Sequence, residues 1–135
     1  YSDMLGKGFG KITKEYLNDW VPGYYTEVPE RKLKGIAERE SEKYKNYNYP
    51  EPNPRPDFKT ESKWFERNSI AFMYLMAGRV DRALPLYEQS AAQGWNGIAI
   101  FEDMIKIYNR FGMEDAADRL EKRKEDLQKE MLKSR

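Results

Sequence analysis

Residues 64–95 read WFERNSIAFMYLMAGRVDRALPLYEQSAAQGW, and they contain the pattern on which the predicted fold depends. When this stretch is shifted by 34 residues, a tyrosine, a glycine and an alanine each fall on a residue of the same type. The coinciding pairs are Tyr74 with Tyr108, Gly78 with Gly112, and Ala83 with Ala117. A period of this length is typical of a unit of two helices, so the sequence predicts two successive helical hairpins. The alternative is a helical bundle in which common residue types coincide by chance.

Four helices are predicted downstream of residue 59. They are expected over residues 60–77, 80–93, 96–111 and 114–132, with Thr60 and Asn96 as N-caps. Gly78, Gly94 and Gly112 follow the first three, because glycine readily adopts the left-handed conformation that ends a helix. Apolar residues occupy most of the circumference of the first of these helices, which predicts that it is the most buried element.

The first hairpin resembles the tetratricopeptide repeat family. That family places small, aliphatic and aromatic residues at set positions, which are filled here by Ile70, Ala71, Tyr74, Gly78, Val80, Ala83, Tyr87 and Ser90. The second hairpin matches at Phe101, Met104, Tyr108, Gly112 and Ala117. The chain departs from the pattern at Arg67, Trp95, Ile105, Glu114 and Glu121. The resemblance covers about residues 64–130, and it implies an all-α fold of two closely packed hairpins that bind other proteins.

The resemblance also implies where a partner would bind, because the first helix of each hairpin lines the concave groove of such domains. The first hairpin would present Phe65, Asn68, Phe72 and Leu75, and the second Ala99, Glu102, Lys106 and Asn109. The first set is mostly apolar, so it suits either a hydrophobic peptide or the N-terminal helix of this same chain. We expect the N-terminal helix to fill the groove, because its apolar residues need a surface to cover them. Those residues are Leu5, Phe9, Ile12 and Trp20.

Residues 1–45 form an N-terminal segment ahead of the helical domain of residues 60–135. Two helices are predicted in this segment, over about residues 10–21 and 29–44. Two hairpins are fewer than the three repeats that such arrays usually need for stability. The N-terminal segment is therefore expected to pack against the hairpins and to complete their core.

Residues 46–59, NYNYPEPNPRPDFK, connect the two parts and alternate proline with polar residues. Each proline removes a backbone donor and restricts the residue before it, so the run predicts an extended, polyproline-like strap rather than a helix. A stiff linker across the domain surface is favoured over a ligand for an aromatic groove. Tyr47 and Tyr49 are the strap residues expected to contact a protein partner, since surface tyrosines often mark protein interfaces.

The composition argues against several classes of function. The 135 residues include 24 basic and 23 acidic ones that are evenly distributed, whereas binders of nucleic acids or membrane surfaces concentrate positive charge. No run of about 20 apolar residues could span a membrane. The chain has no cysteine for a disulfide, thiolate zinc site or nucleophile, and no histidine for general base catalysis or metal binding.

Two further signals for chemistry are weak. The glycine-rich residues 5–12 have neither the spacing of a kinase glycine loop nor that of a Walker loop. General acid–base catalysis needs a carboxyl group whose pKa is shifted, typically by an apolar pocket. The carboxylates of this chain lie in stretches of mixed charge, where they are expected to be solvated. We therefore predict no catalytic residue, no cofactor and no metal site.

These observations favour a non-catalytic scaffold for protein–protein interactions, an accessory subunit of a larger assembly. The chain begins with Tyr1 rather than Met, which indicates processing or a piece of a longer chain. A processed N-terminus would suit an organellar, lumenal or membrane-associated complex. The alternative is a helical substrate- or carbohydrate-binding appendage of a larger enzyme.

Overall fold

The computed structural model describes residues 14–50, 57–94 and 97–133. Those residues form six α-helices and no strand, which confirms the predicted all-α fold class. The helices are α1 (Lys14–Trp20), α2 (Glu30–Lys43), α3 (Phe58–Met76), α4 (Val80–Ala92), α5 (Ile98–Arg110) and α6 (Glu114–Lys133). In this part of the chain, no helix combines the length and the apolar character needed to cross a membrane.

The observed bounds of α2, α4 and α6 lie within about one residue of the predicted ones. α3 starts earlier than predicted, because its N-cap is Asp57 and not Thr60. The Asp57 carboxylate accepts a hydrogen bond of 2.7 Å from the backbone N–H of Thr60, and this bond lowers the pKa of the carboxyl. Gly97 holds the N-cap position of α5. Asn96, the predicted cap, and the predicted start of the first helix near residue 10 lie outside the described residues.

Left-handed glycines mark the turns after three of the helices, as predicted. Gly78 (φ 76°) separates α3 from α4, Gly94 (φ 88°) follows α4, and Gly112 (φ 72°) separates α5 from α6. A residue with a Cβ atom reaches this backbone region only at an energetic cost. Glycine at these three positions therefore helps to specify the turns.

Replacing Gly78 or Gly112 by alanine should lower the free energy of unfolding by about 1 kcal/mol in each case. An added Cβ atom meets no heavy atom within 4 Å at either position, so the expected cost is that of the left-handed backbone alone. Gly35→Ala is the matched control, because Gly35 lies inside α2, where alanine favours the helix by about 1 kcal/mol. Urea denaturation measures these changes. A loss of stability in Gly35→Ala equal to that of the other two variants would contradict this explanation.

Helix α4 lies at the centre of the packing. α3 packs most extensively against α4 and α5 against α6, while α4 and α5 form the contact between these two pairs. α2 also packs against α4. The prediction that α3 is the most buried helix is therefore wrong: Trp64, Ala71 and Tyr74 are its buried residues, whereas more than half of α4 is buried. The apolar residues of α3 occupy two opposite faces, and only one of these faces is covered.

The N-terminal segment contributes to the core through its described part, as predicted. Leu33 and Ala37 of α2 are buried in the same cluster as the apolar residues of α4 and α5. Tyr24, which follows α1, is buried too, and its ring centroid lies 5.8 Å from that of Tyr74 in α3. The core is therefore shared between the N-terminal segment and the helices that follow the strap.

Candidate functional site

One face of α3 carries a row of exposed apolar side chains, which we call the α3 aromatic stripe. Its members and their exposed fractions are Phe58 (83%), Phe65 (68%), Phe72 (50%) and Met76 (70%). Ser62 and Ser69 occupy the same face between them and are also exposed. A contiguous exposed apolar patch on a protein surface typically marks an interaction site, whereas a single exposed apolar residue does not.

The stripe results from the spacing of these residues along the helix. Phe58, Phe65 and Phe72 recur every seven residues, and Met76 follows four residues after the last of them. Seven residues are about two helical turns, so the side chains form one row along a helix of about 28 Å. Trp64 lies on the opposite, buried face. The core thus occupies one side of α3 and the stripe occupies the other.

The exposed area of the stripe is large for so small a protein. If a fully exposed Phe or Met side chain offers about 200 Å², the four stripe residues together expose roughly 500 Å². That area is in the range of the largest apolar patch of a typical monomer, which is often functional. Two exposed carboxylates, Glu61 and Glu66, lie beside the stripe on α3. An apolar centre with charged neighbours is the arrangement that protein interfaces commonly show.

The residue pattern predicted Phe65 and Phe72 as interaction residues, whereas Phe58 and Met76 were not predicted. The signal that could have found Phe58 is the seven-residue spacing of the three phenylalanines, which begins before the repeat pattern does. Phe58 was instead assigned to the end of the strap. The stripe is therefore longer than the predicted groove, and it spans α3 from its first residue to its last.

The remaining residues of the predicted groove fall into two groups. Asn68 and Leu75 of α3 are half-buried, and Leu75 packs against the core. Glu102, Lys106 and Asn109 are exposed on α5. The three α5 residues are therefore open to solvent, as binding a partner would require. Leu75 instead contributes part of its side chain to the core.

Trp20 does not fill the stripe, contrary to what the sequence predicted for this residue. It ends α1 with 72% of its surface exposed. This part of the chain packs against the core through Leu17 and Val21 instead. The other residues expected to fill the groove, Leu5, Phe9 and Ile12, lie outside the described residues. Among the residues that the structure describes, the stripe is open to solvent.

The first residues of the strap pack their tyrosines against the helices. The ring centroids of Tyr44, Tyr47 and Tyr49 are 5.1 to 6.2 Å apart. The Tyr49 hydroxyl donates a hydrogen bond of 2.7 Å to Glu88 of α4, and the Tyr47 hydroxyl donates one of 3.3 Å to the carbonyl of Ala92. Tyr49 therefore serves the fold, whereas Tyr47 remains 43% exposed. Outside the described residues lie Pro52, Pro54 and Pro56.

The buried carboxylate of Glu88 links the strap to the helices, and the residue pattern did not predict it. Glu88 is 1% exposed, and its two oxygens accept hydrogen bonds from Tyr49 (2.7 Å) and Tyr108 (2.9 Å). Burial raises the pKa of Glu88 to about 7, although the two hydroxyl groups act to lower it. The sequence carried a signal for this burial, because Glu88 lies four residues after Leu84 and three before Ala91 on the apolar face of α4.

The Glu88 cluster (Glu88, Tyr49 and Tyr108) borders a cavity of about 110 Å³, which Lys45 and Arg119 also line. Burial raises the pKa of both tyrosine hydroxyl groups above the ordinary value, so neither ionises near neutral pH. Both oxygens of the carboxylate are already engaged by these hydroxyl groups. The cluster therefore works as a hydrogen-bonded clamp that holds the strap and α5 against α4.

Tyr49→Phe should lower the free energy of unfolding by about 1–3 kcal/mol at pH 8, because it removes one of the two donors to a buried carboxylate. Tyr47→Phe is the matched control, since its hydrogen bond is longer and exposed, and its loss should cost less than about 0.5 kcal/mol. Guanidinium denaturation of the two variants gives both values. Equal losses in the two variants would show that the Glu88 carboxylate does not depend on Tyr49.

Comparison with known proteins gave no relative: no family model, no curated protein and no solved structure matches the chain. The resemblance to tetratricopeptide repeats therefore depends on the residue pattern alone.

Proposed function

We propose that this protein is a non-catalytic protein-interaction subunit, an accessory part of a larger assembly, and that it binds its partner on the α3 aromatic stripe. The observation that carries the proposal is the exposure of four large apolar side chains in one row. Removing such surface from water favours association, and the part that exceeds the entropy cost of joining the two partners stabilises the complex. A partner helix can insert apolar side chains at the same spacing, as in the common helix-in-groove mode of recognition.

Polar residues elsewhere on the surface would complete the interface. Glu102, Lys106 and Asn109 are exposed on α5 and would offer polar contacts to a partner. Tyr47 would add a contact from the strap. The resemblance of residues 64–130 to the tetratricopeptide pattern supports the same function, because in that family the first helix of each hairpin lines the binding groove.

Native electrophoresis of a mild-detergent extract from the source organism tests the proposal. We expect the tagged wild-type chain to migrate with a larger complex, and the Phe65→Glu/Phe72→Glu variant to migrate alone. Gln89→Glu/Gln128→Glu is the matched control, because it adds the same two charges at exposed positions of α4 and α6 and should leave the migration unchanged. Migration of the wild-type chain alone, or of the stripe variant with the complex, would refute the proposal.

A further inference from the structure

The α3 aromatic stripe is complementary to a second copy of itself. We propose that two copies of this chain pair through α3 in antiparallel orientation. This inference depends on the proposed function, because it names the partner that covers the stripe.

The residues of the stripe face are arranged symmetrically about Arg67. Pairs at equal distances from Arg67 along the helix are Phe58 with Met76, Ser62 with Phe72, and Phe65 with Ser69. Each pair combines an aromatic residue with a serine or with the flexible methionine. Helical positions three and four residues apart share one face, so all six residues belong to a single seam of the kind that two paired helices bury.

An antiparallel pair places a twofold axis at the level of residue 67 along α3, and each residue of the seam then faces its equidistant counterpart in the other copy. Every phenylalanine faces a serine or a methionine, so the successive layers have similar volumes. A parallel pair would stack phenylalanine on phenylalanine and serine on serine. Layers of unequal volume leave voids beside overcrowded contacts, both of which destabilise an interface. The pattern thus favours the antiparallel orientation.

The area of the stripe is sufficient for a weak dimer. Two stripes would bury roughly 1000 Å², at the low end of specific protein interfaces. Interfaces at this end of the range are typically those of weak and transient complexes, so the dimer should dissociate on dilution. Glu66 lies beside the seam close to the twofold axis, where it would approach Glu66 of the other copy. Since like charges repel, Glu66→Gln should tighten the dimer several-fold.

Sedimentation velocity over about 1 to 500 μM chain tests whether the dimer forms. We expect the wild-type protein to change from monomer to dimer over this range. The Phe65→Glu/Phe72→Glu variant should weaken self-association at least tenfold, while the Gln89→Glu/Gln128→Glu variant should match the wild type. Circular dichroism of each variant checks that the helices are intact.

Cross-linking tests the orientation without altering the aromatic residues, and the absence of native cysteine makes single-cysteine variants specific. A short thiol cross-linker should join two copies of Glu66→Cys, because position 66 lies next to the twofold axis. It should not join two copies of Ser62→Cys, which an antiparallel pair holds about 15 Å apart along the axis. A parallel pair would instead hold the two copies of position 62 at the same level along the axis, so the cross-linker would join Ser62→Cys.

Three results would overturn the inference. They are a wild-type chain that stays monomeric, a dimer that the stripe variant does not weaken, and efficient cross-linking of Ser62→Cys alone. If the chain is monomeric but needs Phe65 and Phe72 to enter a larger complex, the pairing of two copies is wrong. The proposed function is then retained, because the stripe still binds a partner. A monomeric chain whose stripe variant unfolds would mean that its own N-terminal residues cover the stripe. If neither self-association nor the complex depends on the stripe, both proposals fail.

Discussion

Replacing Glu88 by glutamine should raise the free energy of unfolding by roughly 3 kcal/mol at pH 8. Burial raises the pKa of this carboxyl from 4.5 to about 7 in the folded protein. The ionised form is therefore less well accommodated in the folded chain than in the unfolded chain. Glutamine has a similar shape and no charge, and its amide can accept from one tyrosine hydroxyl and donate to the other. The variant should thus resemble the protonated wild-type protein at every pH.

The pH dependence of this effect follows from the direction of the pKa shift. The folded protein binds the Glu88 proton more tightly than the unfolded chain, so the stabilisation is fully present below pH 4.5 and is lost as the pH rises through about 7. The charged and titratable groups near the carboxylate are Tyr49, Tyr108, Tyr44, Glu40 and Arg119. Glu40 disfavours the ionised form and Arg119 favours it, and burial outweighs both.

Urea denaturation of the wild type and of Glu88→Gln between about pH 5 and pH 8 measures the difference. We expect the difference to grow from about pH 5 and to level off above about pH 7, because the folded and unfolded chains bind the Glu88 proton differently only between pH 4.5 and about 7. Other carboxyl groups contribute equally to both proteins and cancel. Glu102→Gln is the control, since Glu102 is exposed on α5 and its replacement at pH 8 should change the free energy of unfolding by less than about 0.5 kcal/mol. A difference between Glu88→Gln and the wild type that does not vary with pH would contradict the raised pKa.

Replacing Ala83 by leucine should cost about 3 kcal/mol of stability, the upper part of the range for overpacked cores. Ala83 of α4 is fully buried, as is Ala71 of α3, and these two helices form one of the most extensive contacts in the protein. Small residues at such positions allow two helices to approach closely. A leucine needs additional space that the packed helices can provide only by moving apart.

Thermal and chemical denaturation of Ala83→Leu, compared with Ala99→Leu, tests this expectation. Ala99 is exposed on α5, so the same substitution should change the stability there by less than about 0.5 kcal/mol. Equal stability of Ala83→Leu and the wild type would show that α3 and α4 do not depend on small residues. The match of Ala83 to a small-residue position of the tetratricopeptide pattern would then be coincidental.

The sequence predicted the parts of the fold that depend on local signals. The bounds of α2, α4 and α6 follow from apolar residues at helical spacing, and the turns after α3 and α5 follow from Gly78 and Gly112. The contribution of the N-terminal segment to the core was also predictable, because two hairpins alone offer too little apolar surface.

The surface of α3 could not be predicted in the same way. Apolar residues on two faces indicate a helix buried on both sides, and the sequence does not show that α4 covers one side only. Phe58 was separated from Phe65 and Phe72 because an adjacent proline-rich run obscures the start of the helix. Whether a face is covered depends on which elements meet in three dimensions.

The hydrogen-bond donors of the Glu88 cluster could not be predicted from the sequence either. Its two donors are remote in sequence, since Tyr49 is 39 residues away and Tyr108 is 20 residues away. Spacing within α4 places Glu88 on the apolar face but does not identify the groups that satisfy it. A shifted pKa depends on burial and partners together, and neither can be derived from the sequence around a single glutamate.

The most direct test of the open α3 aromatic stripe is the free energy of unfolding of Phe65→Glu/Phe72→Glu in dilute solution. If solvent reaches both side chains in the folded protein, Phe65→Glu should change this free energy by no more than about 0.5 kcal/mol, and Phe72→Glu should lower it by about 1–2 kcal/mol because half of Phe72 is covered. A loss of several kcal/mol would instead mean that both phenylalanines are buried in the isolated chain. The stripe would then belong to the core of this protein, and it would offer no surface to a partner.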